Sequence, residues 1–361
     1  MLSGKIATVV LTSSAMLLGM GTAPARSAYG GAGATTVRPG DPRLHYMGHW
    51  GRTAAGAAVT VNSGSQLTFR FTGHTLTGLF DTSTIQVPSQ IYVSIDGGAP
   101  ALYKVDHDEI DFTPAALPGD RHTAKIVVKD VDEFENRWIL PLQSGVVLTG
   151  LRLDPRAHVR PPVALPVWPR IEFYGDSITE GVAALCNATG VDCADGTVDY
   201  AHLTGTAFHA DFNQVGFGKQ GIIQPGHGNV GTAAQSFGWN LQGSPSHFHA
   251  DAVVVNQGTN DGPFGSAEFL PGYVAYLREI RVAYPRAWIF AMRPFGGFHA
   301  DDIGAAVRQV DDPRVVYVDT TGWLSSAAGD FNGGHPNVQG HRKAADLLIP
   351  VIEATTGWRA A

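Results

Sequence analysis

Ile171-Glu172-Phe173-Tyr174-Gly175-Asp176-Ser177-Ile178-Thr179-Glu180-Gly181 passes from an apolar, aromatic run through Gly-Asp-Ser into a helix-compatible segment. The pattern reads as a buried strand that stops at a tight turn and feeds a helix. Gly175 lets the chain turn where a Cβ would crowd. Ser177 then stands at the carboxyl end of a strand, where open α/β sheets place their ligands. The start of the helix leaves backbone N–H groups free beside its hydroxyl, and such groups stabilise a developing oxyanion. Taken alone, Gly-Asp-Ser is equally the chemistry of a turn and a helix N-cap. Its meaning depends on partners elsewhere in the chain.

Downstream, apolar strands alternate with helical spacing. Ala252–Asn256, Trp288–Met292 and Val315–Val318 read as buried strands. Tyr273–Arg281 and an amphipathic segment from His341 to about Thr355 read as helices. Such alternation implies βαβ units around a parallel sheet covered on both faces. Three polar features fall at predicted strand ends. Asn213 to Gly221 is a glycine-rich loop, which lets backbone N–H groups approach a ligand. Gly258-Thr259-Asn260-Asp261 offers a side-chain amide at a strand end, a suitable oxyanion donor. Asp330 to Asn337 is a polar loop carrying His335, a candidate general base for Ser177.

Upstream, residues 41–155 read as all-β. Ala58–Val61, Gln66–Phe71, Ile91–Ile95, Thr123–Lys129 and Val146–Leu153 are short β-branched or alternating runs, with turns at Ser63-Gly64-Ser65 and Asp96-Gly97-Gly98. Strands at this spacing suggest a sandwich or jelly roll. Residues 156–169 are proline-rich and read as an interdomain linker, with the second domain at 170–361.

The first 25 residues carry Lys5, an apolar stretch from Ile6 to Met20 and Ala23-Pro24-Ala25, the pattern of a cleaved secretory signal. Residues 26–40 read as a flexible leader. Secretion is the expected localisation. The apolar stretch is too short and too rich in Ser, Thr and Gly for a membrane span. In an exported protein, Cys186 and Cys193 are expected to form one disulfide. The formal charge of −7, with no basic stripe, argues against a nucleic-acid partner. No metal or cofactor is implied. His247-Phe248-His249 lacks further ligands, and Asp106-His107-Asp108-Glu109 reads as a solvated loop before it reads as a calcium site.

Gly175-Asp176-Ser177, Gly218, Gly258-Thr259-Asn260-Asp261 and His335-Pro336-Asn337 resemble the four blocks of the SGNH (GDSL) hydrolases. A β-sandwich ahead of such a domain is similar to carbohydrate esterase family two, whose members deacetylate plant polysaccharides such as xylan and glucomannan. The resemblance implies a flavodoxin-like three-layer domain and a serine esterase acting on an acetylated polysaccharide or oligosaccharide. It implies Ser177 as nucleophile, His335 as base, and an oxyanion hole from Ser177 N–H, Gly218 N–H and the Asn260 amide. The family's usual acid, three residues before the histidine, is replaced here by Asn332. Asp330 is the candidate orienter of His335; the alternative is a Ser–His dyad with a backbone carbonyl. A secreted lipase or general esterase, and a carbohydrate-binding protein with a degenerate hydrolase domain, are the competing readings.

Overall fold

The computed structural model describes residues 33–165 and 168–361. The expected signal segment therefore lies outside the described residues. The first half consists of two six-stranded antiparallel sheets. In one, Gly51–Arg52, Ala58–Thr60, Val146–Pro155, Leu76–Phe80 and Glu109–Asp111 lie side by side, and Ala34–Val37 also pairs with Val146–Pro155. In the other the order is Val159–Arg160, Gln66–Thr72, Arg121–Asp130, Gln90–Ile95 and Ala101–Lys104, with His45–Met47 added to Gln66–Thr72. Alternation places Leu67, Phe69 and Phe71 on one inner face and Leu76, Leu148, Leu151 and Leu153 on the other, closing a shared apolar core.

Two boundaries differ from those expected. The leader expected at 26–40 already contains a strand, because Thr35, Thr36 and Val37 pair with Leu153, Arg152 and Leu151. The linker expected at 156–169 contributes Val159–Arg160, paired with Phe71 and Arg70. Each is a short β-compatible stretch given partners by a sheet edge distant in sequence, information that local composition does not hold.

The second half carries a five-stranded sheet in the order Asp211–Gly216, Arg170–Gly175, Ala252–Asn256, Trp288–Met292, Val315–Val318, with every pairing parallel. The first strand in sequence thus lies between the second and third, so chain direction across the sheet reverses on either side of it. That reversal opens a crevice above the strand ends. Ser266–Ala283 and Ala300–Val310 pack on one face of the sheet, and Tyr200–Ala207 and Val338–Thr356 on the other. No helix among the described residues is long and apolar enough to cross a membrane.

The halves share a core. Val59, Val61, Trp138 and Leu142 of the sandwich are buried in one cluster with Tyr174, Val215 and Phe217 of the parallel sheet. Trp138 meets the Phe217 ring edge-on at 5.6 Å. Polar ties surround this contact: buried His49 bonds Glu172 at 2.8 Å, and Tyr92 donates to Asp195 at 2.8 Å. Because the apolar cluster crosses the boundary, the chain is expected to melt in one calorimetric transition, and Trp138→Ala to cost roughly 3–5 kcal/mol. Two resolved transitions, with only one moved by the substitution, would contradict a shared core.

Candidate active site

The nucleophile turn is built by close backbone approach. A Cβ on Gly175 would overlap the Thr179 side chain, and one on Gly216 would overlap the Thr179–Glu180 backbone. Asp176 is the N-cap, its Oδ1 accepting from Ile178 N–H at 2.9 Å. Ser177 opens a helix of one turn, Ser177–Glu180, which Gly181 ends at φ 86°. Gly-Asp-Ser is therefore both a cap and the mount of a hydroxyl: the aspartate caps, and the serine projects.

His335 reaches Ser177 from the far edge of the sheet. Phe331–Asn332 and His335–Pro336 form a small hairpin, and Gly333 takes the left-handed conformation at its turn, φ 60°. Asn337 caps the last helix by accepting from Gly340 N–H at 3.0 Å. Asn332 donates to the carbonyls of Ala183 and Ala184, tying the hairpin beside the nucleophile helix. In this frame His335 Nε2 lies 2.9 Å from Ser177 Oγ. Burial holds the His335 pKa below its ordinary value, so the ring is neutral and able to accept a proton at neutral pH.

Asp330 does not meet His335. Its buried Oδ2 accepts from Lys343 Nζ and Ser325 N–H, both at 2.9 Å. The Lys343 ammonium, with the Ser325 N–H, holds its carboxyl below the ordinary carboxylate range. The expected orienter is thus a structural carboxylate that ties its loop to the last helix. Among the described residues no hydrogen bond reaches His335 Nδ1, from a carboxylate or from a backbone carbonyl, so the pair stands as a Ser–His dyad.

The expected oxyanion donors are only partly free. The Gly218 N–H donates to Glu180 Oε2 at 2.8 Å. The Asn260 amide donates to Gln220 O at 3.0 Å and, less tightly, to Asp176 Oδ2 at 3.3 Å. The Ser177 N–H bonds no described residue. Gly218 is therefore corrected from an oxyanion donor to a loop anchor. Burial pushes the Asp176 pKa up to about 7, although Ile178 N–H favours its charged form.

Three residues that local reading passed over hold this arrangement. Glu180, three residues after the nucleophile, takes an ion pair through both oxygens from Arg137 of the sandwich. Both side chains are buried, and Arg137 also lies 5.1 Å from the Phe217 ring centre. Asp261 is fully buried and accepts from Ile222, Ile223 and Gln224 N–H at 2.7–3.1 Å, joining the glycine loop to the strand end that bears Asn260. Glu180 and Asp261 each sit inside a recognised motif. Arg137 has no local signal, since its partner lies 43 residues away in the other half.

The disulfide joins Cys186 and Cys193 in the loop after the nucleophile helix. Asp108 accepts from Thr82, and Glu109 pairs with Arg152, so this acidic run is engaged by the protein. Among the described residues no three His, Cys, Asp or Glu side chains are grouped to hold a metal ion.

Arg137→Ala would leave the Glu180 carboxylate buried without its partner, with an expected loss of about 3–5 kcal/mol of stability. Adding Glu180→Gln should recover part of that loss, which equilibrium urea unfolding of the three proteins measures. Asp330→Ala should retain near-parental turnover of an aryl acetate, because Asp330 does not touch His335. A loss of 10⁴-fold, the scale of removing a working triad acid, would restore it to the machinery.

Residues 173–343 match the GDSL-like Lipase/Acylhydrolase family model. No curated protein matches the sequence significantly. Among solved structures, a family two carbohydrate esterase from Cellvibrio japonicus superposes with a TM-score of 0.76 at 22% identity, covering 90% of this chain and 98% of its own. The acetyl xylan esterase Est2A from Butyrivibrio proteoclasticus gives 0.68 at 15%, covering 90% and 98%. The salicylyl-acyltransferase SsfX3 from a tetracycline biosynthetic pathway gives 0.61 at 18%, covering 90% and 100%. The second half of the chain thus matches the GDSL-like lipase/acylhydrolase family over residues 173–343, and the chain as a whole resembles the family two carbohydrate esterases in its two-part fold.

Proposed function

We propose that the protein is an exported serine esterase that removes acetyl groups from a polysaccharide by acyl transfer through Ser177. The observation that carries this reading is the 2.9 Å contact between Ser177 Oγ and a neutral His335 Nε2 at the sheet's switch point. His335 takes the serine proton as Oγ attacks the ester carbonyl. Collapse of the tetrahedral intermediate expels the sugar alkoxide, which the imidazolium protonates. Water, deprotonated by the same ring, then attacks the acyl-enzyme, and acetate leaves as Ser177 regains its proton. The oxyanion falls to the Ser177 N–H and to the Asn260 amide, whose longer bond to Asp176 is the one to be shared. The Gly218 N–H stays with Glu180 and fixes the loop.

The names of the structural neighbours support acetyl and carbohydrate specificity, and the Cys186–Cys193 disulfide supports an oxidising compartment. The intact Ser177–His335 contact weighs against a degenerate binding domain. A lipase would share the dyad and differ in acyl preference. The acyltransferase among the neighbours marks one further outcome, transfer of the acyl group to an alcohol in place of water.

Ser177→Ala is expected to abolish acetate release from acetylated xylan or glucomannan and from aryl acetates. Parental turnover by this variant would refute the mechanism. Across aryl esters of rising chain length, activity should fall steeply after acetate; a maximum at eight or more carbons would make the protein a lipase. Loss of the Asn260 donor in Asn260→Ala is expected to cost roughly 2.7–4 kcal/mol of transition-state stabilisation. Because protonation of His335 removes the base, kcat should fall as pH drops through a pKa below the ordinary 6.5. A pH–rate profile with its acid limb centred above that value would contradict the burial of the ring.

A further inference from the structure

We propose that the cleft between the sandwich and the segment bearing Asn229 is a second carbohydrate subsite, which takes the backbone of a neutral polysaccharide in addition to the site at Ser177. The inference rests on the esterase reading above and adds to it the place where the polymer is gripped.

The cleft has a volume of about 550 Å³. Ser83, Thr84, Gln86, Asn136, Gln143 and Asn229 supply its polar surface, and Ile85 and Pro141 its apolar surface; no charged side chain lines it. A phosphorylated or acidic ligand would find no counter-charge there. Hydroxyl-rich rings are matched, because carboxamides both donate and accept, and each sugar hydroxyl does the same. Asn136 is already committed within its loop. Its Nδ2 donates to Ile139 O at 2.7 Å and Pro141 O at 3.0 Å, and its Oδ1 accepts from Asn229 at 3.2 Å. That bond joins the sandwich to the second half at the cleft. The Gln86 and Gln143 side chains bond no described residue and are open to a ligand.

The loop that lines the cleft is tied to the Ser177 helix by buried groups. Arg137, next to Asn136, bonds Gly228 O through its N–H at 3.1 Å and pairs through its guanidinium with Glu180 on the nucleophile helix. Glu133, four residues earlier, lies against Gly218 and 3.1 Å from His227 Nδ1. Between them Phe134 is 52% exposed, and its ring is tilted over His227 at 4.9 Å. An exposed aromatic face two residues along the chain from the cleft's Asn136 suits the two surfaces of a pyranose: the apolar C–H face lies on such a ring, and the hydroxyl edge meets amides.

The test compares the parent with Gln86→Ala/Gln143→Ala and with Phe134→Ala, all as full chains. None of these side chains belongs to the catalytic machinery, so kcat on 4-nitrophenyl acetate should be unchanged. On acetylated xylan or glucomannan the KM should rise about tenfold for the glutamine pair, with kcat preserved, as expected for losing two hydrogen bonds to substrate. Calorimetric titration with unacetylated xylohexaose, mannohexaose and cellohexaose should show a matching loss of affinity for at least one of them. Parental KM on the polymers and parental hexaose affinity in both variants would overturn the proposal while leaving the esterase intact. If the parent turned over no ester, the esterase reading would fall separately, and the titrations alone would decide the cleft. Loss of hexaose binding in the variants would then support it, and unchanged or absent binding would overturn it. Gln86→Ala alone, on an exposed loop, provides the same reading should the double variant fold poorly.

Discussion

The buried ion pair between Arg137 and Glu180 is the constraint around which the molecule is assembled. A carboxylate on the nucleophile helix is costly to bury alone, and burial pushes its pKa up while Arg137 pulls the other way. The guanidinium comes from the sandwich, so the nucleophile helix is complete only when both halves are in place. Glu180 spends its remaining capacity on the Gly218 N–H, which sets the glycine loop. Ser63 of the sandwich donates to Glu180 O at 2.7 Å, so the same helix turn is gripped through its backbone as well. The sandwich is therefore part of the active-site scaffold, whatever it also binds.

The convergence of Ser177, Asn260 and His335 follows from strand order. Placing the first strand between the second and third puts the loops after Gly175 and Asn256 side by side at the point of reversal. The last loop then needs only a hairpin and a helix cap to present His335 from across the sheet. The Ser177–His335 contact stands without a carboxylate behind the imidazole. Asn332 and Asp330, the two positions from which an acid is sought, are both engaged elsewhere, holding carbonyls of the nucleophile loop and the last helix respectively. The hairpin pairing, the Asn332 bonds to Ala183 and Ala184 and the Asn337 cap place His335 instead.

Much of this is legible in the sequence. Period-two runs such as Gln66–Phe71 and fully apolar runs such as Ala252–Asn256 announce half-buried and fully buried strands, because a side chain's solvent environment follows from its place in the pleat. Gly175, Asp176 and Asn337 announce a turn and two caps, since their roles are local. Partner choice was harder to read. Thr35–Val37 looked like leader and Val159–Arg160 like linker, although each completes a sheet edge. Asp330 reads as the candidate acid for His335 because it is the acid nearest to it along the chain.

By itself the sequence determined the two-part β then α/β organisation and the turn that presents Ser177, both of which depend on local periodicity and backbone chemistry. Only the tertiary structure decided which hydrogen-bond donors remain free, that Asp330 serves Lys343, that Gly218 serves Glu180, and that the sandwich supplies Arg137. The physical reason is satisfaction of buried polar groups. Each donor or acceptor taken out of water must find a partner, and which partner it finds depends on what packing brings within 3 Å or so, not on distance along the chain.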